Sequence, residues 1–168
     1  VDLGRSVIET NDGGFVLTGT YNNDYCLLKT NRLGRPIWER VFYGGTRGFS
    51  VEQTSDDGYI IVGVNAPVGI YVVKTDTEGY LEWDRTFETS WGGDPAGCSG
   101  NQTSDGGYVI IGNKDISSIV HPWMIKLDPQ GEVEWENTFD SGQKGYSIQQ
   151  TSDGGYVFSG ESSQGVFV

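Results

Sequence analysis

Four aspartates occupy one position of a repeated motif, and carboxylates that recur every 44 to 49 residues are the chain's first candidates for metal binding. They are Asp12, Asp56, Asp105 and Asp153, in the segments TNDGG, TSDDG, TSDGG and TSDGG. Calcium requires six to eight oxygen ligands that converge on one point. Because each aspartate belongs to a different copy of the motif, we expect all four to form turns, and we interpret Asn31, Asp76 and Asp128 in the same way.

Side chains suited to acid–base or nucleophilic catalysis are sparse. Histidine is the usual base of a catalytic triad and a frequent zinc ligand, and the chain has one, His121. Recognition of a substrate carboxylate would need clustered arginines. The arginines are instead scattered along the sequence: Arg5, Arg32, Arg35, Arg40, Arg47 and Arg85. We therefore predict no catalytic residue, no metal and no cofactor.

The tryptophans differ in whether their positions recur. Trp38, Trp83 and Trp135 occupy one position of the repeat, which predicts a packing role between neighbouring units, because an indole buries a large apolar surface while its N–H finds a partner. Trp91 does not recur and lies in the connection FETSWGGDPAGCSG, residues 87–100. An aromatic side chain in a nonrepeating connection is a binding candidate.

A repeat of roughly 48 residues positions all of these side chains. Its first block is TNDGGFVLTG, TSDDGYIIVG, TSDGGYVIIG and TSDGGYVFSG, beginning at residues 10, 54, 103 and 151. A second block, such as YVVKTDTEGYLEWDRTF at residues 71–87, follows the first three copies. Each full copy predicts four short strands, because Asp-Gly turns separate runs rich in aromatic and β-branched residues.

Four antiparallel strands repeated at this period are typical of propeller blades. We therefore predict an all-β fold: a single β-propeller domain or fragment at residues 1–168, with repeats at about 4–47, 48–96, 97–144 and 145–168. The last blade is incomplete, since only GVFV follows its second strand. We expect a larger ring, or two copies that associate through the incomplete blade, because an unpaired strand edge invites pairing.

Variation in length concentrates at one end of the predicted blades. The turns with Asp are nearly constant, whereas the loops between second and third strands differ: TYNND, VNAPVG and GNKDISSIVHP, the last at residues 112–122. We expect any protein or glycan partner to bind at this variable end. The candidate ligand-binding residues are Tyr21, Asp24, Trp91, Asp94 and His121.

Three motifs connect the repeat with known families. T-x-D-x-G-[YF] resembles the Asp-box hairpin of sialidase-type propellers, without the Thr-Trp ending of that motif. G-x-x-x-W, as in Gly79 to Trp83, resembles the tryptophan-docking motif of quinoprotein (PQQ-like) propellers. The whole unit most closely resembles the propeller repeat of secreted and cell-surface proteins of archaea and bacteria. This resemblance implies a fold and an extracellular or cell-surface location, but one fold hosts many functions.

Charge excludes some classes of partner. The net charge is −12, with 23 acidic and 11 basic residues, so no basic surface is available for nucleic acid or anionic lipid. No apolar run approaches the 18 residues of a membrane helix. Cys26 and Cys98 are expected to be separate, partly buried thiols, although two cysteines leave pairing open. The chain starts at Val1, which suggests a piece of a longer protein.

We expect a noncatalytic interaction or scaffold propeller of an extracellular or cell-surface protein. The first alternative is a lectin-like propeller that binds glycans, with Trp91, Asp94 and Tyr21 as contacts. The second alternative is a fragment of a quinoprotein-like or sialidase-like enzyme.

Overall fold

The computed structural model describes residues 3–89, 98–139, 144–162 and 165–167, which contain fifteen strands and no helix. The strands form four antiparallel sheets, named blades 1 to 4. Blade 1 holds β1 (Leu3–Glu9), β2 (Phe15–Tyr21), β3 (Asp24–Thr30) and β4 (Pro36–Phe42). Blade 2 holds β5 (Arg47–Gln53), β6 (Tyr59–Asn65), β7 (Gly69–Thr75) and β8 (Leu81–Glu88). Blade 3 holds β9 (Ser99–Gln102), β10 (Tyr108–Ile116), β11 (Ile119–Leu127) and β12 (Val133–Thr138). Blade 4 holds β13 (Lys144–Gln150), β14 (Tyr156–Ser162) and β15 (Gly165–Phe167).

The prediction of an all-β chain built from repeated antiparallel blades is confirmed. Within each blade the strands pair in sequence order, so every connection is a short hairpin. The first strands of neighbouring blades pack together, β1 with β5, β5 with β9 and β9 with β13. The described residues show no comparable packing of β13 on β1. The blades are therefore stacked in sequence order, and no closed ring is seen.

Turns of the T-x-D type join the first and second strands of each blade. In blade 1 the backbone N–H of Thr10 donates to the carbonyl of Gly14 (2.9 Å), which closes a five-residue turn. The residue after the aspartate has a positive φ in every blade: Gly13, Asp57, Gly106 and Gly154. Glycine is favoured at such a position because it has no Cβ, and aspartate is among the few other residues that tolerate it.

The apolar core lies between blades and not within any one of them. One cluster, which includes Tyr25, Leu27 and Ile61, lies between blades 1 and 2. A second lies between blades 2 and 3, and a third, smaller one between blades 3 and 4. Strands β6 and β7 are buried on both faces, because each face of a middle blade packs on a neighbour.

Each blade has two ends. The aspartate-turn end carries the turns before the second and fourth strands, and the hairpin end carries the turns between the second and third strands. Residues 112–122, predicted as the longest loop, are mostly strand at the hairpin end: β10 and β11 extend to a two-residue turn at Ser117 and Ser118. Both serines have positive φ, as a tight hairpin of this kind requires.

Candidate functional site

A buried lysine on the third strand of each complete blade holds the aspartate turn. Lys29, Lys74 and Lys126 are almost fully buried. Lys29 Nζ lies 2.8 Å from Asp12 Oδ1, and Lys74 Nζ lies 2.9 Å from Asp56 Oδ2. A buried ammonium is costly unless it is paired, so the aspartate satisfies the lysine while the lysine fixes the turn.

A second carboxylate joins this network in two blades. Lys74 Nζ lies 2.7 Å from Glu82 Oε2, and Lys126 Nζ lies 3.0 Å from Glu134 Oε2. Blade 1 has the apolar Ile37 at the matching position of its fourth strand. The lysine in blade 1 instead donates to Thr10 Oγ1 at 2.9 Å. The blades therefore share one network with different partners.

Hydrogen bonds lower the pKa of the turn aspartates. Asp105 accepts from the Thr103 hydroxyl, the Gly107 backbone N–H and Lys126, which together lower its pKa to about 2. The pKa of Asp12 is lowered too, chiefly by Lys29. Burial by itself disfavours charge on Lys126, but Glu134 and Asp105 outweigh it and raise the lysine pKa. These groups are held ionised at neutral pH, which suits a structural role and not proton transfer.

Glutamines at the ends of the first strands connect neighbouring blades. Gln53 Oε1 accepts from the Asn11 backbone N–H (2.8 Å) of the preceding blade. Gln102 accepts from Ser55 (2.7 Å) in the same way. Gln150 accepts from Ser104 (2.8 Å). Three equivalent bonds place successive aspartate turns side by side at one end of the stack.

The recurring tryptophans pack on the next blade. Trp38 meets Tyr59 edge to face at 6.0 Å between ring centroids, and Trp83 meets Tyr108 at 5.5 Å. Trp135 meets Tyr156 in the same way at 5.6 Å. A Cβ at Gly79, in the turn of blade 2, would lie 2.7 Å from the Trp38 ring, so this contact requires glycine.

The predicted ligand-binding residues do not form one cluster in the described part of the chain. Tyr21 and Asp24 face each other across the Asn22–Asn23 turn of blade 1. His121 lies on β11 of blade 3, beyond blade 2, with its Nδ1 3.2 Å from the Phe139 carbonyl oxygen. Trp91 and Asp94 lie outside the described residues.

Exposed apolar or aromatic side chains mark the hairpin end of the first three blades. Tyr21 is exposed beside the turn of blade 1, and Val68 is exposed in the turn of blade 2. Ile116 and Ile119 flank the turn of blade 3 and are exposed on strands that are two residues longer than β6 or β7. Sequence reasoning chose this end but did not single out the isoleucines, because it treated them as loop.

A cleft of about 610 Å³ lies between blades 1 and 2 at the aspartate-turn end. Its walls include the aromatic rings of Trp38 and Tyr59 and the polar side chains of Asn11, Gln53 and Asp57. Asn11 Nδ2 donates to Asp57 Oδ1 across the blade boundary (2.8 Å). Asp57 replaces the glycine that blades 3 and 4 have at this turn position, so the arrangement is specific to this cleft.

The residues that sequence reasoning missed are the three lysines. Their signal was a charged residue recurring at one position of an otherwise apolar third strand, as in CLLKT and YVVKT. The cysteines were predicted to be separate, and Cys26 and Cys98 are both buried and are not joined by a disulfide. Burial raises the pKa of the Cys98 thiol, so this thiol is not activated.

The described residues contain no metal-binding cluster, and three of the arginines that they include lie apart from one another. They contain no group of three or more His, Cys, Asp or Glu side chains placed to hold a metal ion. Arg5 lies over the Phe49 ring, Arg40 lies over Tyr80, and Arg85 bonds Glu132, so these three arginines occupy separate places. No helix in the described segments has the length and apolarity to cross a membrane.

Comparison with known proteins supports the architecture. No family model matches the chain, and no curated protein matches it. Among solved structures, the chain is similar to the crystal structure of a protein of unknown function from Bacteroides caccae, with a TM-score of 0.63 and 16% sequence identity. The match covers 93% of this chain and 52% of that chain, so this chain spans about half the length of its structural neighbour. At this identity the likeness concerns the fold alone.

Proposed function

We propose that this chain is a noncatalytic interaction module of the β-propeller type that binds a protein partner at the hairpin end. The observation that carries the proposal is the series of exposed tips, Tyr21, Val68, Ile116 and Ile119. Covering such groups removes apolar surface from water, which favours association. The hairpins that bear them are held by paired strands, so a partner would meet a preformed surface.

The opposite end supports the noncatalytic part of the proposal. Its buried lysines are engaged by carboxylates of their own blade, as Lys74 is by Asp56 and Glu82. The recurring lysines and carboxylates of the repeat bond one another, and in doing so they hold the turns of each blade.

The proposed setting is extracellular or at the cell surface, in a ring that has more than four blades or is completed by association. The resemblance of the repeat to propellers of secreted and surface proteins supports this setting. The net charge of −12 suits a soluble exposed module. Labelling of intact source cells with a membrane-impermeant amine reagent tests it: a surface protein is labelled, and an internal protein is not.

Site-specific photo-crosslinking tests the interaction surface. A photoreactive residue at position 116 should capture a discrete partner from the source organism, whereas the same residue at exposed position 133 should not. Val133 is the matched control because it is exposed at the aspartate-turn end of blade 3, at the start of its fourth strand. A double variant, Ile116→Ser with Ile119→Ser, should abolish binding of the captured partner and leave the fold intact. Equal capture at both positions, or at neither, would contradict the proposal.

A second candidate function is glycan binding, favoured by the cleft between blades 1 and 2. Aromatic rings beside amide and carboxylate groups suit a sugar, because the rings pack on its apolar face while the polar groups bond its hydroxyls. A glycan array tests this function. Asp57→Gly should lose any binding while keeping the fold, because glycine suits the positive φ of 63° at this position. An array without hits removes this candidate.

A further inference from the structure

The outward face of blade 1 has the same features as the faces that receive a neighbouring blade elsewhere in the molecule. We propose that this face is the docking surface for a further blade of the same repeat, placed ahead of blade 1 as blade 1 is placed ahead of blade 2. The partner contributes a tryptophan four residues after a turn glycine. This inference rests on the blade order and is independent of any ligand at the hairpin end.

Three interfaces in the chain define what such a face contains. A blade receives its neighbour with an aromatic residue at the start of its second strand, as Tyr59 receives Trp38. Blades 2 and 3 also offer a turn glycine on which the indole lies, as Gly131 does for Trp83. The first strand adds a glutamine that accepts a turn N–H, as Gln53 does, and in blades 2 and 4 it adds a buried aliphatic side chain, Val51 or Ile148.

Blade 1 has residues at each of these positions, but no preceding blade packs against them in the described part of the chain. Phe15 occupies the position of Tyr59 at the start of the second strand. Gly34 has the same positive φ as Gly79, but a Cβ there would meet nothing within 4 Å. Glu9, exposed, occupies the position of the glutamine and offers the same acceptor oxygen.

Burial along the first strands shows what is uncovered. Val7 is 59% exposed, whereas Val51 and Ile148, at the matching positions of blades 2 and 4, are 5% and 3% exposed. Leu3 is also exposed. A shallow hollow of about 270 Å³ lies here, lined by Gly4, Arg5, Ser6, Val7 and Leu17. The uncovered surface therefore presents apolar side chains where the matching side chains of blades 2 and 4 are buried.

A second copy of this chain does not fit the requirement. The three tryptophans of the repeat are already engaged, Trp38 by blade 2, Trp83 by blade 3 and Trp135 by blade 4. A second copy would have to break one of these contacts to supply an indole. A further repeat with its own G-x-x-x-W strand brings a free one.

A tandem protein tests the proposal. Residues 3–46 are duplicated directly ahead of Leu3, so that residues 43–46 of the added copy join it to β1 as they join blade 1 to blade 2. We expect amide hydrogen exchange at Val7 and Leu17 to slow by at least about tenfold, because these amides become part of a covered blade. The control replaces the added tryptophan with alanine (Trp38→Ala in the added copy only) and should reduce this protection.

Gly34→Ala supplies an independent readout. In the 168-residue chain it strains the turn alone, whereas in the tandem protein the methyl group also meets the added indole, so the loss of stability should be greater. Unchanged exchange at Val7, an equal Gly34→Ala effect in both proteins, or an added blade that stays unfolded beside a folded chain would each overturn the proposal. A concentration-dependent dimer of the 168-residue chain that Val7→Asp abolishes would also overturn it, by making a second copy the occupant.

Discussion

The buried lysines at the aspartate-turn end have different hydrogen-bond partners from blade to blade. Lys74 and Lys126 each lie between two carboxylates, whereas Lys29 has one carboxylate and a threonine hydroxyl. The carboxylates are roughly half exposed and stay hydrated, while each lysine is nearly fully buried. Removing the lysine of blade 2 or blade 3 therefore leaves two carboxylates that repel each other.

We expect Lys74→Met to destabilise the protein by about 1–3 kcal/mol, because it removes charged hydrogen bonds and leaves Asp56 and Glu82 facing each other. Lys29→Met is the matched control and should cost less, since Ile37 replaces the second carboxylate in blade 1. Urea unfolding of both variants gives the comparison. Adding Glu82→Ile to Lys74→Met should recover part of the loss; equal costs in both blades would contradict this account.

Stability should fall in acid because of the turn aspartates. The pKa of Asp105 is about 2 in the folded chain and about 3.9 when unfolded. A lowered folded pKa contributes stability that is present above about pH 4 and is lost as the pH falls toward 2. The pKa values of Asp12, Asp56 and Asp153 are lowered as well, so their effects add in the same direction.

Thr103→Val should raise the pKa of Asp105 toward 3.9, since the Thr103 hydroxyl is the largest cause of the lowering. Carboxyl carbon NMR titration measures this directly, with Asp153 in blade 4 as the internal control. The variant should also lose less stability between pH 5 and 2 than the parent protein does. An unchanged Asp105 titration would assign the lowered pKa to Lys126 and the backbone instead.

At the scale of the element, the turn between third and fourth strands is both a local structure and an inter-blade contact. Asp76 Oδ1 accepts from the backbone N–H groups of Glu78 and Tyr80, so the turn forms from its own sequence. Gly79, at φ 78°, then supplies the flat surface for Trp38. Glycine is required here twice, for its conformation and for its lack of a side chain.

Gly79→Ala and Gly34→Ala separate these two requirements. Both residues have a positive φ, 78° and 74°, so alanine costs about 1–2 kcal/mol at either position through backbone strain. Gly79→Ala should cost a further 1–3 kcal/mol or so, because its methyl group displaces the Trp38 ring. Thermal or urea unfolding of the pair gives the difference. Equal losses would mean that the indole moves aside freely.

At the scale of the whole molecule, stability comes from stacking. A single four-stranded sheet cannot cover its own faces, so each blade depends on its neighbours. Blades 2 and 3 are covered on both sides, whereas blade 1 is covered on one. Apolar side chains at equivalent positions should therefore contribute differently to the free energy of unfolding, depending on whether their blade is covered on that face.

Val51→Ala should cost roughly 1–3 kcal/mol, because it removes buried methyl groups and leaves space behind. Val7→Ala, at the matching position of blade 1, should lie within about 0.5 kcal/mol of the parent protein, since Val7 is exposed. The free energy of unfolding measures both. A large cost at Val7 would show that the outward face of blade 1 is covered in solution.

Local chemistry determined the elements of this protein. Strands and turns follow from short-range preferences, namely Asp-Gly pairs, β-branched residues and positive-φ glycines, and these are visible in the printed sequence. The period of the repeat then determined the number of blades. The tip at Ser117 and Ser118 escaped prediction because serine is not a typical positive-φ residue, so no local signal marked the turn.

Tertiary structure decided which residues meet. Lys74 is 18 residues from Asp56, and Gln102 bonds the turn of the blade before its own; neither pairing follows from a local preference. The sequence showed recurring tryptophans, but only the stack assigned each one a tyrosine and a glycine on the next blade. The sequence alone therefore determined what each blade is, whereas the packing of blades determined which side chains are buried, which are ionised and which face is left open, because burial depends on neighbours distant along the chain.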